Sequence, residues 1–209
     1  MKSLRRLLLE YFRDHLGIFI FATSFFLAGI VAGALILRFL KIEQLENLQS
    51  SFSAFLQSLR LGENLESFQL LKASYRKNIS FLALTWFLGL FRPGFPLVLF
   101  TLLLKGLALG FTVGFTVYNF SLRGLLFSLA ALFPHNIILI PAFLFAATTA
   151  TAYSYMSRKK KFVYKKTVSN HFSEYCFYMF IVFLFILAGG LFEAYLSPVF
   201  MRLVVSFFF

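Results

Sequence analysis

Acidic residues are scarce in this chain: eight Asp and Glu stand against twenty Lys and Arg in 209 residues. Charged residues of both signs make up only 13%, about half the share a soluble domain carries. Hydrophobic residues make up 60%, 32 of the residues are Phe, and the mean hydropathy is +0.82. A soluble globule has no interior large enough to hide that much apolar surface, so lipid is the solvent for most of the chain. Cysteine is nearly absent. The single Cys176 excludes an intramolecular disulfide, and no base flanks it to make a nucleophile. There is no metal-ligand spacing, nucleotide loop or nucleophile–base set. The formal net charge of +12 could point to nucleic acid, but the cations gather at Lys2–Arg13 and Arg158–Lys166, beside apolar runs. That distribution orients a membrane protein and excludes a nucleic-acid surface.

What is present is a succession of apolar runs, which predicts an all-α, polytopic helical membrane protein of about five transmembrane helices. Residues 1–15 mix Arg and Lys with Leu and Phe and read as an amphipathic helix on the inner face. The competing reading is a signal-peptide n-region, with Ala32-Gly33-Ala34 as the cleavage-site mimic. Residues 16–37 form an uncharged first span. Residues 38–77 form an extracytoplasmic amphipathic segment whose stripe is Leu45, Leu48, Phe52, Phe55, Leu56 and Leu59, with Gly62 as a breaker. The stripe suits either lipid headgroups or a protein partner. Residues 78–209 form a membrane domain holding the remaining spans, over 78–91, 95–120, 124–155 and 175–196, with a basic cytoplasmic loop at 156–170. Both basic clusters belong on the cytoplasmic side, and the even number of spans between them permits it. The amino terminus is then inside, and segment 38–77 and the carboxy terminus are outside.

Within the spans, Gly106, Gly110 and Gly114 repeat at one-turn spacing, and Gly29 and Gly33 do the same in the first span. Small residues let helix backbones touch, which is what holds helices together in lipid. The glycine faces suit packing within one chain or a homodimer. Lys105, His135 and Glu193 are the ionisable groups inside spans. Such residues turn toward protein or water, and the alternatives are a structural polar network, snorkelling to the interface, and a transport role. Pro134, His135, Asn136 and Pro141 interrupt the fourth run. Proline removes an amide donor and crowds the preceding turn, so this run is expected to be broken or re-entrant, with His135 and Asn136 serving the freed backbone groups.

The stretches "YRKNISFLALTWFLGLF", "LLKGLALGFTVGF", "FPHNIILIPAF" and "AGGLFEAYLSP" occur in this order. In them the chain resembles the stage II sporulation protein M family of bacterial integral membrane proteins. The chain departs from many relatives at Lys77-Asn78, where they have an asparagine pair, and at Lys105-Gly106, where they have Asn-Gly. It also has Asn136 and Leu139 where the broad pattern has a glycine and a glutamate. The resemblance implies a non-enzymatic scaffold, without cofactor or metal, that anchors stage II sporulation proteins D and P at the sporulation septum. There these peptidoglycan-remodelling enzymes act in engulfment by the mother-cell membrane. The competing function is a channel or transporter subunit using Lys105, His135 and Glu193. An intramembrane hydrolase is disfavoured, because His135 has no Ser or Asp partner at a defined depth.

Overall fold

The computed structural model of the chain describes residues 15–61, 67–91, 93–159 and 165–208, with the side chains of 156–170 and 208 outside the description. The expected inner-face helix before His15, the breaker Gly62 and the side chains of the basic loop lie outside the described residues. Among the described residues every regular element is helical. Lipid offers no partner to peptide groups, so an apolar chain must bond its backbone within each segment. The elements are α1 (Leu16–Ile36), a 3-10 turn (Leu37–Phe39), α2 (Ile42–Arg60), α3 (Ser67–Leu90), α4 (Gly94–Lys159), α5 (Lys165–Leu191), a π-helical turn (Phe192–Leu196) and α6 (Ser197–Phe208). Several hydroxyls inside the apolar helices bond back to their own helix. Thr23 Oγ1 donates to Phe19 O at 2.8 Å and Thr148 Oγ1 to Leu144 O at 2.8 Å.

Among the described residues three stretches are long and apolar enough to cross a bilayer: Leu16–Phe39, Gly94–Tyr155 and His171–Phe207. The second is 62 residues long, about three times what one crossing needs. It is divided at Ser121, whose φ of 50° and ψ of −125° leave the helical region. The arms 94–120 and 122–159 fold back on one another there. The hydroxyls of Thr116 and Ser128 are bonded across the corner, and Ser128 Oγ also donates to Gly124 O at 2.8 Å. A side chain at Gly124 would strike the carbonyl of Thr116.

This corrects the expected break in the fourth run. Pro134 and Pro141 both lie inside the second arm, and the backbone stays helical through them. Each proline removes a single amide donor and frees one carbonyl a turn earlier. A positive-φ residue reverses the chain, which a missing donor does not. α3 also differs from expectation: it begins at Ser67, inside the stretch assigned outside the membrane, and runs unbroken for 24 residues.

The main core joins α1, α3, α5 and both arms of α4, with Leu102, Leu139, Phe143, Val182 and Ile186 buried at its centre. A second core lies over the Ser121 corner. Leu56 and Leu59 of α2 pack there with Phe127 and with Val205 of α6. The Phe52 ring sits 5.7, 5.6 and 5.4 Å from those of Phe115, Phe120 and Phe127. Phe52, Phe55, Leu56 and Leu59 of the α2 stripe anticipated from its spacing are thus turned onto the corner. The carboxy-terminal tail is the helix α6.

Candidate functional site around Glu193

The π-helical turn interrupts the regular register between α5 and α6 and carries Glu193. Such one-turn widenings recur at functional sites because they re-aim a side chain. Here the carboxylate meets α3. Ser74 Oγ donates to Glu193 Oε2 at 2.6 Å, Asn78 Nδ2 to the same oxygen at 3.1 Å, and Lys77 Nζ to Oε1 at 3.2 Å. The two oxygens therefore take three donors from one turn of α3. The Lys77 side chain is 63% exposed against 22% for Glu193, so that ion pair is weakened by its surroundings. The bonds from buried Ser74 and Asn78 hold the carboxylate in place.

Lys105 joins from the first arm of α4. Its ammonium donates to Asn78 Oδ1 at 3.0 Å and lies 5.0 Å from the ring centre of Phe81 and 4.3 Å from that of Phe143. Cation–π attraction is strongest where water is excluded. Asn78 is wholly buried and uses both ends of its amide, accepting from the cation and donating to the anion. Lys105 and Glu193 are thus linked through Asn78, without touching. Tyr75, next to Ser74, donates its hydroxyl to Leu187 O at 3.1 Å, which ties α3 to α5 beside the cluster.

His135 stands apart from the carboxylate. Its Nδ1 lies 3.0 Å from Ser197 Oγ, the first residue of α6, and both side chains are buried. Asn136 is buried beside it, and Pro134 and Pro141 complete the helical stretch that carries them. The glycines expected to pack do so between α1 and the first arm of α4. A Cβ at Gly29 would meet Leu103 O, one at Gly33 Leu107 O, one at Gly106 Phe26 O, and one at Gly110 Ile30 O. One at Gly114 would lie 3.1 Å from Ala34 Cα. Each helix sets its glycines against the other's backbone, so the two faces found separately in the sequence form one seam within the chain.

Spacing alone missed Ser74, Lys77, Asn78 and Ser197. A signal for the first and third was present: the buried face of α3 is Ser74, Asn78, Leu82, Thr85 and Gly89. In a helix surrounded by lipid, small and polar residues at helical spacing mark the protein-facing side. Among the described residues no group of three His, Cys, Asp or Glu side chains could hold a metal ion.

The family described as stage II sporulation protein M matches residues 22–198. The chain belongs to the stage II sporulation protein M family. Neither a curated protein nor a solved structure matches it. Membership makes this a sporulation-related membrane protein. The matched region takes in the polar cluster, the Ser121 corner and α2. Lys77 and Lys105 are both partners in the cluster.

Proposed function

We propose that this protein is a five-span, non-enzymatic scaffold that anchors and localises peptidoglycan-remodelling enzymes at the sporulation septum during engulfment. In this reading α1, α3, the two arms of α4 and α5 are the spans. The amino terminus is cytoplasmic, and α2, the Ser121 corner and α6 share the outer face. The partners are stage II sporulation proteins D and P. The observation that carries the reading is that Glu193, Lys105 and His135, the ionisable groups expected within the spans, each have partners. Glu193 takes three donors, Lys105 is held by Asn78 between two aromatic rings, and His135 pairs with Ser197. Groups so engaged hold helices in register. A transported substrate needs partners that can exchange.

Partner contact falls to the outward face of α2. Its apolar stripe is turned inward, and Ser50, Ser51, Ser53 and Gln57 are exposed. The test is to replace Ser51 and Gln57 together by Arg and purify the protein from sporulating cells. The expected result is normal abundance with loss of co-purifying stage II sporulation proteins D and P. Undiminished recovery of both enzymes would remove α2 as the contact.

The second reading, a channel or transporter subunit, is favoured by one observation, the π-helical turn that places an acid one amide away from the half-buried Lys105. The His135 series separates the two. His135→Gln keeps a side chain able to bond Ser197, and His135→Leu does not, so the scaffold predicts retained sporulation in the first and reduced sporulation in the second. A buried hydroxyl left without its partner costs about 1–3 kcal/mol. A proton carrier fails in both, since neither substitute titrates near neutral pH.

A further inference from the structure

The core over the Ser121 corner covers α2 along only part of its length. The second half of the helix, from Phe52 to Leu59, lies on the corner. The first half has no such support. Ile42 is 78% exposed, and Phe39, in the turn before it, 86%. Leu48 and Leu45, one and two turns before Phe52 on the same stripe, are partly exposed and belong to neither core. Two observations fix the depth of this half. Phe39 is the last residue of the first membrane-crossing stretch, and only Leu40 and Lys41 separate it from the start of α2. Farther along, the Phe52 ring lies 5.7 Å from that of Phe115. Phe115 follows Gly114, which packs on Ala34 in the last turn of α1. At both points α2 is therefore held to the level where α1 leaves the hydrocarbon. A helix held there lies along the bilayer surface. The stripe that faces the corner in the second half then faces lipid in the first.

We propose that the first two turns of α2 are seated in the lipid leaflet that the carboxy end of α1 reaches, with Phe39, Ile42, Leu45 and Leu48 at the boundary between acyl chains and headgroups. Charge does not select the occupant, because Arg38 and Lys41 are matched by Glu43 and Glu46. Apolar contact carries the seat, and a bilayer of neutral lipid supplies it. α2 is then clamped twice, by the corner at one end and by lipid at the other. Its opposite face, with Ser50 and Gln57 exposed, is held toward water. The inference needs α1 to cross the bilayer and does not rest on the scaffold reading.

The test uses the full-length protein in phosphatidylcholine nanodiscs, with Trp86→Phe removing the chain's single tryptophan. A reporter is placed by Phe39→Trp or Ile42→Trp, and by Ser50→Trp on the opposite face as the reference. Lipid brominated near the headgroup end of its acyl chains is expected to quench the first two strongly and the reference little. Bromine near the chain ends should quench all three weakly, and acrylamide in the water should quench the reference most. Ile42→Trp quenched by acrylamide as strongly as Ser50→Trp would put the first half of α2 in water and overturn the proposal. Protection of Phe39→Trp and Ile42→Trp from both quenchers would also overturn it, and would place a second copy or another protein over that face. Trp86 packs against the main core, so a second readout leaves it in place. Phe39→Glu/Ile42→Glu should let limited proteolysis cut the first half of α2 in nanodiscs, and Phe39→Leu/Ile42→Leu should not. Resistance of the Glu variant equal to that of the wild type would overturn the proposal as well.

Discussion

At the scale of single residues, Asn78 does what neither charge near it can do alone. Lys105 and Glu193 sit on helices that do not bring their ends together, and the amide joins them with matched polarity. Its replacement by Leu leaves a buried ammonium without its acceptor and removes a donor from the carboxylate. Breaking one partner out of a buried charged set typically costs about 3–5 kcal/mol, and the partial exposure of Glu193 lowers that figure. Asn78→Leu should therefore unfold at clearly lower denaturant than wild type in detergent. If the charges act through Asn78, Lys105→Met combined with Glu193→Gln should cost less than the sum of the two single variants, the signature of coupled sites. Additive losses would show that the two groups are independent.

Ser121 offers a simpler residue-scale prediction. Its φ of 50° is positive, in the region that suits glycine and penalises a side chain. Ser121→Gly should raise the melting temperature, because it relieves strain worth about 1 kcal/mol at most. Ser121→Val should lower it, because a branched Cβ crowds that backbone conformation further. A melting temperature unmoved by Val would mean that the corner adapts without cost.

At the scale of elements, the seam between α1 and the first arm of α4 brings two helix backbones into direct contact. A leucine at Gly110 would force its side chain into the carbonyl of Ile30. In lipid no hydrophobic gain offsets the separation of two helices, so the contact is lost and not merely loosened. Gly110→Leu should reduce the yield of folded protein severely. Gly17→Leu is the matched control, since nothing lies within 4 Å of a Cβ there, and it should accumulate normally. Equal yields would place the Gly110 face against lipid. The Phe52 ring, seated among three others at the corner, plays the same part for α2. Loss of such an aromatic anchor removes about 3–5 kcal/mol where packing cannot adjust. Phe52→Ala should expose α2 to limited proteolysis while leaving the helices in the membrane intact.

At the scale of the whole molecule, the arrangement is consistent with one sidedness. The Ser121 corner, α2 and α6 meet in one core. At the opposite end Ser154 donates to Phe91 O at 2.7 Å and Tyr175 to Trp86 O at 2.8 Å. If the positive charge at Arg158–Lys166 marks the cytoplasm, the corner faces outward. With Cys176 replaced, a cysteine at Lys160 should resist an impermeant thiol reagent in intact cells, and one at Ser206 should react. Labelling of both positions from outside would overturn this orientation.

The sequence by itself determined the class of the molecule. Charge scarcity and long apolar runs leave helices in lipid as the only way to satisfy the backbone. The glycine repeats and the α2 stripe were legible because each depends on spacing along one helix. The polar cluster was legible only in its ends. Lys105 and Glu193 could be named, but Asn78, Ser74 and Lys77 acquire their roles from α3 lying beside the π-helical turn, and no spacing within one segment encodes that meeting. Where the chain turns was likewise decided by tertiary structure. Two prolines advertised a break and the helix passed through them, while Ser121, an ordinary residue in the sequence, took the positive φ. A proline withdraws one hydrogen bond locally. A reversal is set by the length each arm must cross and by the hydroxyl bonds and aromatic packing that close over the corner.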